Sequence, residues 1–97
     1  MPYDKQLNAF SHPVRQHILT NLALRPMSVR ELTDAANVSQ PVMSQHLKVL
    51  KEVGLVTATS VGASNIYGLE GKKLEELRAY WTAHWTNLLA SLNHSKD

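Results

Sequence analysis

Apolar residues recur at spacings of three and four from the start of the chain, at Leu7, Phe10, Val14, Ile18, Leu19 and Leu22, with one interruption at Ser11-His12-Pro13. The period is helical and the interruption divides it. Pro13 suits a first helical turn and disfavours helix in His12, so one short helix is predicted to end near Ser11 and a second to run from about Pro13 to Leu24. Ser28-Val29-Arg30-Glu31 has capping-box spacing and predicts a third helix, with Val29, Leu32 and Ala35-Ala36 turned inward and an end near Asn37. Ser39 then caps a fourth helix, with Pro41 in its first turn, apolar Val42, Met43, Leu47, Leu50 and Val53 along it, and Gly54 at its end. Two capped helices joined by a turn of about three or four residues have the form of a helix-turn-helix.

Beyond Gly54 the period changes. Leu55 to Val61 and Ser64 to Leu69 are rich in β-branched and alternating residues around Gly62-Ala63, which predicts a hairpin. From Gly71 to about Asn93 helical spacing returns with Leu74, Leu77, Trp81, Trp85, Leu88 and Leu92, and His94 to Asp97 are expected to fray. The fold class is therefore mainly α with a small β-hairpin wing, in the order α-α-α-α-β-β-α: a winged helix-turn-helix with an extra C-terminal helix. At 97 residues the chain is expected to form one domain over 1–97. A unit this small is marginal by itself, so pairing with a second copy would add core.

Composition narrows the chemistry. With no cysteine, a disulfide framework, a thiolate metal site and a cysteine nucleophile are all excluded. No glycine-rich phosphate loop, nucleophile elbow or zinc-protease motif is present, so no enzymatic activity is expected. The net charge of +2 is compatible with nucleic acid without demanding it. No stretch approaches the ~20 apolar residues of a membrane span, and the N-terminus has no basic segment leading into an apolar run, which predicts a soluble, cytoplasmic protein.

Three segments carry a resemblance: Ser11-His12-Pro13-Val14-Arg15-Gln16-His17-Ile18-Leu19, Ser28-Val29-Arg30-Glu31-Leu32, and the run from Ser39 to Val56, which reads S-Q-P-x-x-S-Q-H-L-K-x-L-x-x-x-G-L-V. Together they closely resemble the ArsR family of bacterial transcriptional regulators, over nearly the whole chain. The resemblance implies a homodimeric repressor whose fourth helix enters the major groove at each half of a double-stranded operator with dyad symmetry. On that helix Gln40, Ser44 and Gln45 are the expected base readers, because glutamine can take an adenine edge with two hydrogen bonds, while Ser39, His46 and Lys48 are expected nearer the DNA backbone. Arg30 and Lys51 are candidate phosphate contacts. Plainer roles stay open: capping alone for Ser39, packing for His46, solvated side chains for the rest.

The family's wing tip tends to carry arginine or lysine, whereas Thr57 to Asn65 here is uncharged. Thr59, Ser60, Ser64 and Asn65 then offer phosphate only hydrogen bonds, or form a plain exposed turn. The two tryptophans of the last helix mark a dimer interface of Leu77, Trp81, Trp85, Leu88 and Leu92, completed by Leu7 and Phe10 as the family arrangement implies; closure of the chain's own core by the same stripe is the alternative. Metal-sensing relatives use cysteines in the third helix or Asp, His and Glu pairs across the last. Here Ser28 to Glu31 replaces the cysteines, and His84 and His94 lack ligand-spaced companions, so no metal or other cofactor is expected. The inducing ligand is not legible. The rival to DNA binding is a winged helix that serves only as a protein-docking module.

Overall fold

The computed structural model describes residues 2–95. Along them the elements run α1 (Asp4–Phe10), α2 (Pro13–Leu24), β1 (Met27–Ser28), α3 (Val29–Ala36), α4 (Gln40–Glu52), β2 (Val56–Val61), β3 (Ser64–Leu69) and α5 (Gly71–Ser95).

Local signals set most of these boundaries. His12 caps α2 by accepting the Val14 N–H at its Nδ1 (3.1 Å), with Pro13 in the first turn. At α3 both halves of the capping box form: Ser28 Oγ accepts from Glu31 N–H (3.2 Å) and the Glu31 carboxylate accepts from Ser28 N–H (3.1 Å). The helix stops at Asn37, which adopts the left-handed conformation (φ 54°). Gly54 (φ 80°) releases the chain from α4 into β2.

Two features differ from the expected order. The wing hairpin of β2 and β3 is joined by a third strand, because Met27 and Ser28 pair antiparallel with Tyr67 and Ile66 of β3. The order is therefore α-α-β-α-α-β-β-α. This strand ties the start of α3 to the root of the wing. The second difference is the end of α5, whose backbone stays helical through His94 and Ser95; Lys96 and Asp97, the rest of the tail expected to fray, lie outside the described residues.

The core gathers Ile18, Leu19 and Leu22 of α2, Leu32 of α3, Met43, Leu47 and Leu50 of α4, Leu55 after it, Val56 of β2, and Leu77 of α5. Leu77 is only 2% exposed, which corrects its expected place in a dimer interface: it closes the chain's own core. Beyond Trp81, α5 leaves the rest of the molecule, and every residue from Thr82 to Leu92 is exposed. The overhang gives the chain its elongated 62 × 24 × 23 Å extents. Among the described residues no helix is long and apolar enough to cross a membrane.

Candidate nucleic-acid interface

Packing orients α4. Met43, Leu47 and Leu50 are completely buried, so the opposite side of the helix faces solvent with Gln40, Ser44, Gln45, Lys48 and Lys51. Ser39 Oγ accepts the Val42 N–H (3.4 Å), a cap that accounts for this serine without excluding a further contact. None of Arg30, Lys48 and Lys51 is held in an ion pair among the described residues.

The strand pairing that sequence could not show brings further candidates to the start of this helix. A groove of about 300 Å³ is lined by Ser28, Arg30 and Gln40 on one side and by Ala63, Ser64 and Asn65 of the wing on the other. Arg30 and Asn65, far apart in sequence, thus share one concave surface with the first residue of α4. Beside it the Glu31 carboxylate is neutralised locally: the hydrogen bond from Arg25, reinforced by that from the Ser28 backbone, holds it below the usual carboxylate range. The edge of the groove therefore carries no unpaired Glu31 charge. In the wing, Ser60 Oγ donates to Asn65 Oδ1 (3.2 Å) across the hairpin, and Thr59 stands exposed opposite Ile66.

His46 falls outside this set. It is half-buried, with its ring 4.6 Å from that of His12 at the start of α2, so it turns toward the neighbouring helix and not toward the open face expected of a backbone contact. Burial, with electrostatic repulsion from the neighbouring His12 ring and Arg15 adding to it, lowers its pKa. The sign follows: the unfolded chain binds the proton more readily, so stability falls as pH drops below the ordinary histidine value of ~6.5. Urea unfolding at pH 7.5 and 5.5 should show the loss, and His46→Gln should reduce the difference between the two pH values.

The stripe on α5 divides into two parts. Leu74 and Leu77 pack into the chain's own core, and half-buried Trp81 lies edge-on to Phe10 with ring centroids 6.3 Å apart. Trp85 (64% exposed), Leu88 and Leu92 continue the same face into solvent, with Leu7 and Phe10 exposed on α1. Leu89 belongs with them; its spacing of four from Trp85 was the signal for it. Sequence reasoning also missed His12 as the partner of His46, and the exposure of Val42 on α4. His84 is exposed on α5, the side chain of His94 lies outside the described residues, and no group of three or more His, Asp or Glu among the described residues has the arrangement to hold a metal ion.

Comparison with known proteins gives the same reading. Residues 12–58 match the family described as bacterial regulatory protein, arsR family. The chain is 37% identical over 86 residues to the HTH-type transcriptional regulator Rv2034 of Mycobacterium tuberculosis, spanning 89% of this chain and 80% of that one. It is 40% identical over 78 residues to the HTH-type transcriptional repressor SmtB of the same species, spanning 80% of this chain but 58% of that protein. Among solved structures, the homodimeric winged helix-turn-helix DNA-binding domain Mb0332 (fragment 1–100) of Mycobacterium bovis superposes with a TM-score of 0.70 at 26% identity, covering 88% of this chain and 79% of that one. Capped helix pair, wing and relatives agree: the chain belongs to the ArsR family of bacterial regulatory proteins and is a winged helix-turn-helix transcriptional regulator.

Proposed function

We propose that this regulator is a homodimeric repressor that places α4 of each protomer in the major groove of an inverted-repeat operator. The observation that carries it is the convergence of the exposed polar face of α4 with the groove holding Arg30, Gln40 and Asn65. Gln40, Ser44 and Gln45 supply hydrogen-bonding groups for base edges, while Arg30, Lys48, Lys51 and the start of α4 supply positive charge and N–H groups for phosphates. Ser60, Thr59 and Asn65 extend the surface along the wing with hydrogen bonds alone.

Pairing follows from the half of α5 that the chain leaves uncovered. Trp85, Leu88, Leu89 and Leu92 form one continuous apolar face, larger than isolated surface hydrophobics require, and a second copy covers it with the same face. The M. bovis domain is itself described as homodimeric, and the name of the SmtB relative supports repression. The protein acts on cytoplasmic DNA and needs no metal or other cofactor to bind it.

Selection from random-sequence duplexes with chelator-treated protein at near-physiological salt tests the reading. Enrichment of an inverted repeat is the expected result. Recovery of no preferred sequence would overturn it and favour a protein-docking role.

A further inference from the structure

Of the apolar residues of α4, Met43, Leu47 and Leu50 are buried completely and Val49 packs on the margin of the core. Val42 does neither: it is 42% exposed and belongs neither to the core nor to the hydrophobics packed against it. It stands in the first turn of α4, three residues before Gln45 and therefore neighbouring it on the helix surface. Its placement is rigid. The Ser39 cap holds its N–H, and a β-branched side chain in a helix keeps essentially one rotamer. A fixed, partly exposed apolar group beside Gln45, in the first turn of the helix that meets bases, lies outside the hydrophobic core of its own chain.

The major groove presents one apolar feature to such a group, the C5-methyl of thymine. We propose that Val42 is a specificity-determining residue that packs against a thymine methyl in each half-site, beside the base read by Gln45. The inference rests on the assignment of α4 as the helix that enters the groove. It gives α4 two kinds of recognition: Gln45 takes a hydrogen-bonding edge, and Val42 takes a methyl group that no hydrogen bond can report.

Uracil has the same hydrogen-bonding edges as thymine and lacks only that methyl, so single thymine-to-uracil replacements in the enriched operator isolate the contact. Binding of the unmodified protein should weaken about fourfold at one thymine per half-site, the ratio that corresponds to the ~0.8 kcal/mol of one buried carbon. Val42→Ala, a change at an exposed helical position that leaves the fold intact, should bind thymine and uracil there equally while keeping its preferences elsewhere. Indifference of the unmodified protein to uracil at every thymine, a half-site with no thymine, or the same uracil penalty in Val42→Ala would each overturn the proposal. Failure to bind any duplex would instead overturn the DNA reading itself, and this inference with it.

Discussion

Trp85→Glu is expected to give a folded monomer that has lost its grip on the operator. The side chain is 64% exposed on the part of α5 where every residue from Thr82 to Leu92 is exposed, so folding of the protomer should change little, and glutamate is at least as good a helix former as tryptophan. Dimerisation bears the whole effect. A tryptophan anchoring an apolar interface contributes about 2 kcal/mol or more, and the substitution also puts a carboxylate where apolar surface is to be buried, so the dimer should weaken by at least ~30-fold. Operator affinity falls with it, because the second half-site is no longer delivered by the first.

Sedimentation equilibrium checks the monomer and circular dichroism the fold. Leu77→Ala on the same helical face should do the reverse, costing about 2–5 kcal/mol of folding stability, because Leu77 is sealed in the core and its truncation leaves a cavity. An intact dimer of unchanged stability in Trp85→Glu would remove α5 from the interface.

The second large effect is expected at Gln45. Among the described residues no hydrogen bond or core packing engages this exposed side chain, so Gln45→Ala should leave stability and dimerisation unchanged. If its amide takes a base edge, its loss should relax discrimination at one position of each half-site by about 1–3 kcal/mol while affinity for mixed-sequence DNA is retained. Competition between the preferred base pair and the other three at each position reads this directly, and an unaltered preference would strike Gln45 from the reading set.

What could be read from sequence divides along a physical line. Capping by Ser28 and Ser39, the turn at Asn37 and the break at Pro13 are decided by residues within one helical turn of each other, and they are legible without the fold. The strand at Met27-Ser28 is not, because two residues carry no period and become a strand only when Tyr67 and Ile66 lie alongside. Leu77 and Trp85 belong to one uninterrupted stripe; which is core and which is open depends on where the body of the domain ends along α5, a tertiary fact.

His46 shows the same limit within the candidate site. Its position on α4 suits an outward or an inward role, and the ring of His12, brought up by α2, decides for the inward one. Conversely, the exposed residues of α4 were legible, because burial of Met43, Leu47 and Leu50 leaves Gln40, Ser44, Gln45 and Lys48 only one side to occupy. The meeting of Arg30 with Asn65 across a groove was not, since it depends on the sheet that anchors the wing beside α3.

Hydroxyl-radical footprinting of the operator recovered by selection shows whether two protomers, paired through α5, read it with α4. Two-fold pairing through α5 predicts two protected tracts related by a dyad, with centres one helical turn apart, about 34 Å, or a whole multiple of it, and both lost together in Trp85→Glu. A single tract, or two tracts out of phase with the helical repeat, would contradict a dimer that reads successive major grooves with α4.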